Sequence, residues 1–241
     1  MPSKSALPSD VSPLTLNRLC LYLRALRRLH EDGVERISSK DLARRFNLSA
    51  AQIRKDLAQF GGFGIRGVGY DVEPLISRLT AILRLDRRHP IIVVGMGNLG
   101  SALACYLGFN HGAFDVVGGV DNDPRRVGSL VGDLEVRHTD ELAQLVRETQ
   151  AELGVLAVPA SAAQENYDLL VAAGVRGVLN FSPAHVNPTP QVPLKDVDLR
   201  VHLEELAYFL PPTLAGSAED DVSEEGTSEA GAPEAGVSGS D

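Results

Sequence analysis

Residues 91–100 read IIVVGMGNLG, an apolar run that continues directly into a Gly-x-Gly-x-x-Gly motif. In dinucleotide-binding folds the first glycine permits a tight turn, the second lets a pyrophosphate approach the backbone, and the third allows close helix packing. The residues after the motif continue as a helix, and a second apolar strand, 115–120, ends at an acid about 20 residues after the last glycine. This order predicts a Rossmann-type parallel sheet, with a glycine-rich structural turn as the alternative. The predicted cofactor contacts are Gly95, Met96, Gly97, Asn98, Leu99, Gly100 and Asp121.

The acid also bears on which dinucleotide is bound. Asp121 is placed to bond ribose hydroxyls and would repel a 2′-phosphate, which favours NAD(H), whereas Arg125 and Arg126 leave NADP(H) open. Further strands are predicted at 153–159 and 177–183, separated by a helix that Ser161 can cap. Because ligands of open α/β sheets bind at the carboxyl ends of the strands, these strands add four candidate contacts. They are Val158, Pro159, Asn180 and Phe181.

Charge is distributed unevenly along the 241 residues. Residues 1–89 carry 16 basic and 9 acidic side chains, residues 90–214 carry 7 and 15, and residues 215–241 carry none and 8. A basic N-terminal part suggests a polyanionic partner, while the last segment has too few apolar residues to offset its ordering entropy. We therefore predict a DNA-binding domain at 1–89, a nucleotide-binding domain at 90–214 and a disordered acidic tail at 215–241.

The N-terminal part has the pattern of a helix-turn-helix. Leucines at 16, 19, 23, 26 and 29 predict one amphipathic helix, which Gly33 ends. Two short helices follow: one begins at Ser38 or Ser39 and ends near Phe46, and the second begins at Ser49, where Ser49 and Gln52 fit a capping box. Ala50, Ile53, Leu57 and Phe60 form the inward face of the second helix.

The outward face of this second helix suits a recognition helix in the major groove. Gln can bond adenine, Arg can bond guanine, and Lys can neutralise phosphates, although an ordinary solvated helix face is the alternative. The glycine-rich segment GGFGIRGVGYDV (61–72) then predicts a narrow β-hairpin, the wing of a winged helix, rather than a turn-rich linker. The predicted DNA contacts are Ser49, Ala51, Gln52, Arg54, Lys55 and, at the tip of the wing, Arg66 and Gly67.

Several other classes find little support. There is no run of 18 apolar residues and no signal peptide pattern, so we expect a cytoplasmic protein without a membrane segment. Cys20 and Cys105 are expected to be buried thiols, and the dispersed histidines predict no metal site. An NAD-dependent oxidoreductase with an accessory DNA-binding domain remains an alternative, but no string suggests catalytic residues; a CoA-type nucleotide-binding module is a third class.

Taken in order, the chain resembles the Rex family of redox-sensing transcriptional repressors. The resemblance rests on YLRAL (22–26), SSKDLARRFNLSAAQIRKDLAQFG (38–61), GIRGVGYDV, GMGNLGSALACY, AVPASAAQ (157–164), GVLNFSPA and VDLRVHLEELAYFL (197–210). It covers about residues 10–212. The sequence departs from the family at Asn98, where some members have an arginine, and at Leu199, where an aromatic side chain can approach the nicotinamide.

The resemblance implies a homodimer that binds a palindromic double-stranded DNA operator when NAD⁺ prevails and releases it when NADH accumulates. It also implies a C-terminal helix at about 202–211 that is swapped onto the partner subunit. An arginine, a tyrosine and an aspartate form a state-dependent contact in such proteins. The matching positions are Arg24, Tyr106 and Asp198.

Overall fold

The computed structural model describes residues 11–64, 68–106, 108 and 112–210. The chain divides into two units, Met1–Asp198 and Leu199–Asp241. The predicted wing contacts Arg66 and Gly67 and the predicted tail at 215–241 lie outside the described residues.

The N-terminal part is mainly helical and begins with the predicted helix-turn-helix. Each of its first three helices is capped by a serine, at 12, 38 and 49, whose hydroxyl accepts a hydrogen bond from a backbone N–H three residues later. The last of its helices was not anticipated from the sequence. The elements are α1 (Pro13–Glu31), β1 (Arg36–Ile37), α2 (Ser39–Phe46), α3 (Ala50–Ala58), β2 (Tyr70–Asp71) and α4 (Val72–Ile82).

The inward face of α1 differs from the prediction at one position. Leu19, Leu23, Leu26 and Leu29 are buried as expected, but Leu16 is 41% exposed. Helical spacing explains the difference, because the positions four and three residues from Leu19 are 15 and 22, and Thr15 and Tyr22 are the residues buried there. The first core consists of residues from α1, α2, α3 and α4 together with Ile37, Phe60 and Tyr70.

The small sheet is formed differently from the predicted glycine-rich hairpin. β2 pairs antiparallel with β1, Arg36 opposite Asp71 and Ile37 opposite Tyr70, and residues 61–64 form no strand. Gly64 lies so close to the Tyr70 ring that a Cβ there would be 2.8 Å from it. The prediction of a hairpin within 61–72 was therefore wrong for the described residues, although a two-stranded sheet accompanies the helices as in a winged helix.

The second part of the first unit is a seven-stranded sheet with the order β5-β6-β4-β3-β7-β8-β9. β5 is antiparallel to β6, and every other neighbouring pair is parallel. Helices cover both faces, over two further buried cores. The elements are β3 (His89–Val94), α5 (Asn98–Ala104), β4 (Phe114–Asp121), β5 (Leu130–Val131), β6 (Leu134–His138), α6 (Leu142–Thr149), β7 (Leu153–Leu156), α7 (Ala163–Ala173), β8 (Gly177–Asn180) and β9 (Leu194–Asp196).

Three further sequence predictions differ from the structure. Ser161 does not cap α7, because it lies within a short 3-10 turn and Ala162 stands at the cap position without a side-chain hydrogen bond. The sequence NLGSALACYLGF (98–109) predicts one continuous helix, but α5 ends at Ala104. Cys20 and Cys105 are exposed rather than buried.

The second unit contains one described helix, α8 (Leu199–Ala207), followed by a turn to residue 210. It begins earlier than the predicted 202–211. All its described residues are exposed, including large apolar side chains. Across the described ranges, no helix combines the length and the apolar character needed to cross a membrane.

Candidate functional site

The glycine motif lies at the point where the strand order of the sheet reverses. β3, which leads into the motif, has β4 on one side and β7 on the other, and the chain turns from Val94 into Gly95 between their carboxyl ends. The Gly95 N–H donates to the Val120 carbonyl over 2.9 Å. Crevices at such a reversal are where open α/β sheets bind ligands.

Sterics require glycine at the two ends of the motif and not in the middle. Gly95 has φ +90°, and a Cβ there would be 2.6 Å from the Ala157 carbonyl oxygen. A Cβ on Gly100 would collide with the Gly95 carbonyl oxygen, whereas a Cβ on Gly97 would meet nothing within 4 Å. The backbone at Gly97 is thus open to approach, and no contact with the described residues requires a glycine there. A ligand that comes close to the backbone supplies a reason.

Asp121 holds the glycine turn from the end of β4. Its carboxylate accepts hydrogen bonds from the Met96 N–H (2.7 Å) and from the Asp123 N–H (2.9 Å). The Met96 side chain is fully buried, and it packs so tightly over Gly119 that a Cβ there would be 2.5 Å from the Met96 sulfur. The Met96 carbonyl accepts from the Ser101 hydroxyl over 2.9 Å, so both backbone polar groups of this buried residue are hydrogen-bonded within the described part of the chain.

Arg125 and Arg126, the two residues that could favour NADP(H), both form side-chain contacts within the chain. Arg125 makes a paired contact with Asp123, with a shortest distance of 2.7 Å, and these hydrogen bonds lower the pKa of Asp123 to about 2. Arg126 donates to the Asn98 side-chain oxygen over 3.2 Å. Asn98 and Leu99 are exposed at the start of α5.

The other strand ends lie at the level of the motif. Val94 pairs with Leu156, and Leu156 pairs with Asn180, so β3, β7 and β8 end together. Val158 and Phe181 are half-buried and Pro159 is exposed. The Asn180 side chain is buried: it donates to Asp196 over 2.8 Å and accepts from the Ser182 N–H over 2.9 Å. Asn180 therefore shapes the loop after β8 with its own side chain.

The recognition helix α3 exposes most of its predicted DNA contacts. Ser49, Ala51, Arg54 and Lys55 are exposed, and Arg54 donates to the Ser39 hydroxyl over 3.1 Å. Gln52 differs from the prediction, because it is half-buried. Only half of the predicted capping box forms: the Ser49 hydroxyl accepts from the Gln52 N–H, but the Gln52 side chain donates to Asp56 instead of returning to Ser49.

A buried polar cluster between α1 and α3 was not predicted from the sequence. The Asp56 carboxylate is fully buried and accepts from Arg18 Nε (2.7 Å) and Nη2 (2.8 Å), the Tyr22 hydroxyl (2.9 Å) and Gln52 Nε2 (2.8 Å). Burial alone would raise the pKa of Asp56, but the hydrogen bonds from Arg18, Tyr22 and Gln52 outweigh it and lower the pKa. The sequence held one indication of this cluster: Asp56 lies three residues after the inward-facing Ile53, so helical spacing places both residues on the same buried face.

The three predicted switch residues lie on different elements. Arg24 is exposed on α1, Tyr106 follows α5 and is 57% exposed, and Asp198 directly precedes α8. Their state-dependent contact stays a prediction. Among the described residues, no group of three or more His, Cys, Asp or Glu side chains could hold a metal ion.

A DNA-binding helix-turn-helix in front of a Rossmann-like nucleotide-binding sheet defines the class of nucleotide-responsive transcriptional regulators. Residues 10–58 match the family model described as "Putative DNA-binding protein N-terminus", and residues 86–184 match "CoA binding domain". A "Redox-sensing transcriptional repressor Rex" from Carboxydothermus hydrogenoformans is 45% identical over 194 residues, 80% of this chain and 93% of that protein.

Two solved structures extend the similarity. The crystal structure of RSP in complex with β-NAD⁺ and operator DNA has a TM-score of 0.79 and 38% identity, and the match covers 83% of this chain and 92% of that chain. The structure of RSP in complex with β-NADH has a TM-score of 0.76 and 36% identity, covering 83% and 94%. The chain belongs to the Rex family of redox-sensing transcriptional repressors. The oxidoreductase alternative finds no support, because these relatives are named repressors and not enzymes.

Proposed function

We propose that this chain represses transcription as a homodimer that binds a palindromic operator with NAD⁺ or without ligand and releases it when NADH binds. One observation carries the proposal: a glycine crevice and a helix-turn-helix occur in one chain that is similar, over 83% of its length, to RSP solved with operator DNA. The operator is double-stranded DNA, and the sensed ligands are NADH and NAD⁺.

The dinucleotide occupies the crevice beside the glycine motif. The pyrophosphate approaches Gly97, where the backbone is open, and meets the first N–H groups of α5, which have no partner within the helix. Asp121 keeps lone pairs for a ribose hydroxyl after its two backbone hydrogen bonds. A carboxylate at this position, with Arg125 paired to Asp123, favours NAD(H) over NADP(H). Val158, Pro159 and the backbone at Asn180 and Phe181 line the nicotinamide side.

DNA meets the exposed face of α3. Arg54 and Lys55 project from a helix whose opposite face is buried in the N-terminal core, and Ser49 and Ala51 lie at its first turn, the part of a recognition helix that enters the major groove. Arg66 and Gly67, which lie outside the described residues, are the proposed contacts at the tip of the wing. The surplus of basic residues in 1–89 supplies the attraction for phosphates.

Coupling between the sites requires two subunits. α8 is swapped onto the partner, which covers the exposed leucines of this helix and the exposed Tyr208 and Phe209 that follow it. NADH closes the pair of nucleotide domains, and Arg24, Tyr106 and Asp198 exchange partners as the recognition helices leave the register of the half-sites. The domains are 1–89, 90–214 with the swapped helix, and an acidic tail at 215–241, in a cytoplasmic protein.

Capture of bound DNA across the genome, repeated in vitro with NADH or NAD⁺ added, tests the proposal. We expect a palindromic sequence to be recovered without ligand and with NAD⁺, and to be lost with NADH. Recovery that does not change with NADH would contradict the sensor function. Steady oxidation of NADH in the presence of small carbonyl substrates would instead favour an enzyme.

A further inference from the structure

The buried carboxylate of Asp56 lies behind the DNA-facing side proposed for α3. It accepts four hydrogen bonds, and one of them comes from Gln52, a predicted DNA contact. Gln52 and Asp56 are four residues apart on α3, and Gln52 Nε2 donates to Asp56 Oδ1 over 2.8 Å. The other donors, Arg18 and Tyr22, come from α1 and fill the remaining sites of the carboxylate. The carboxylate is held in place from two helices.

This contact determines which way the Gln52 amide is oriented. An ionised carboxylate only accepts hydrogen bonds, and the lowered pKa of Asp56 keeps it ionised, so the amide must turn its NH₂ group toward it. One N–H of that group is used by Asp56, and the other stays available. Among the described residues, no group donates to Oε1 of Gln52. Gln52 therefore presents one acceptor and one donor in a fixed order.

An acceptor beside a donor distinguishes the purines in the major groove. Adenine offers the N6 amino donor and the N7 acceptor, which complement Oε1 and the remaining N–H of a glutamine. Guanine offers two acceptors, O6 and N7, so a fixed Oε1 would face a guanine oxygen without a proton between them. A glutamine that could rotate freely would instead turn its NH₂ group toward guanine.

We propose that Asp56 is a positioning residue for base recognition: it holds the Gln52 amide so that Gln52 selects adenine and rejects guanine at one position of each operator half-site. This inference rests on the proposed operator binding. Asp56 would contribute to base specificity without contacting DNA, because its side chain is fully buried. Arg18 and Tyr22 hold the Asp56 carboxylate in place from α1.

The test measures affinity for operator duplexes in which each base pair is replaced in turn, and in which adenines are replaced by 7-deazaadenine. The wild-type protein is expected to lose about tenfold or more in affinity when one A·T pair becomes G·C. Q52A and D56N should each reduce that preference toward none, and the double variant should add nothing further. The salt dependence of binding should stay as in the wild type, because no phosphate contact changes.

Two further variants distinguish a loss of base preference from misfolding and from a general effect of removing a glutamine. D56N leaves Arg18 without its ionic partner and can fail to fold. R18M/Y22F/D56L removes both charges and the Tyr22 hydroxyl together, so it leaves no buried charge unpaired. It should fold and show the same loss of base preference. Q144A removes another glutamine that donates to a carboxylate four residues later, Glu148, on α6, and should leave base preference unchanged.

The outcomes separate the inference from the proposed function. Operator binding with an unchanged preference in Q52A, or uniform weakening on all sequences with the preference retained in the Asp56 variants, would overturn the inference and leave the repressor function intact. A wild-type protein that binds no operator, or does not release it with NADH, would overturn the proposed function as well.

Discussion

Replacing Gly97 by valine should separate the two activities of the chain. A Cβ at Gly97 meets nothing within 4 Å in the structure, and φ is −65°, which any residue adopts. The folded state should therefore tolerate the change, at a cost of about 1 kcal/mol for a poorer helix N-cap. A branched side chain there would, however, occupy the space through which a pyrophosphate approaches the backbone.

The expected loss of cofactor binding follows from the hydrogen bonds removed. Charge-assisted hydrogen bonds are worth about 1.5–3 kcal/mol each, so losing one or two N–H contacts to the pyrophosphate costs about 3 kcal/mol. This corresponds to about 100-fold weaker NADH binding. G97V should still bind operator with wild-type affinity and should resist release by NADH.

G100A is the matched control for this prediction. A Cβ at Gly100 would collide with the Gly95 carbonyl oxygen, which is backbone and cannot turn away, so this smaller change should lower the free energy of unfolding by about 1–3 kcal/mol or more. NADH titrations and thermal unfolding of both variants provide the measurement. A G97V protein that binds NADH like the wild type would refute the position of the pyrophosphate.

Three further results are expected. D121A should weaken NADH binding and, unlike G97V, also loosen the glycine turn, because the Met96 N–H loses its acceptor; NADH titration and thermal unfolding measure both. R54A and K55A should each weaken operator binding, by about 1–3 kcal/mol for a base contact, without changing NADH affinity, whereas R147A on α6 should change neither. Because the pKa of Asp56 is lowered on folding, its stabilising contribution is complete above the usual carboxyl pKa and is lost as the pH falls through the lowered value, which acid unfolding against R18M/Y22F/D56L would detect.

The sequence predicted best where sterics leave few choices. The turn at Gly95 and the contact of Gly100 with the Gly95 carbonyl allow no other residue, so the motif correctly located β3, the turn and the start of α5. β4 ends at Asp121 as expected, because a long apolar strand has a strong signal of its own. The helix cap at Ser49 was predicted, and of the two candidates Ser38 and Ser39 it is Ser38 whose hydroxyl caps α2.

Long-range contacts account for what the sequence did not predict. β1 and β2 are two residues each, too short to show an alternating pattern, so their pairing across α2 and α3 left no local signal. Asp56 is a charged residue on an otherwise apolar face, and two of the residues that compensate for its burial, Arg18 and Tyr22, lie 38 and 34 residues earlier in the chain. The hydrogen bond from Gln52 to Asp56 explains why Gln52 is half-buried, although helical spacing placed it on the exposed face.

In the proposed function, NADH and operator DNA compete through one conformational equilibrium. A ligand can shift such an equilibrium only by its differential affinity for the two states, and the coupling must be reciprocal. The most direct measurement is the titration of NADH into the protein with and without saturating operator. We predict that operator weakens NADH binding by the same factor by which NADH weakens operator binding. Equal NADH affinities in the two titrations would contradict the proposed competition between NADH and operator DNA.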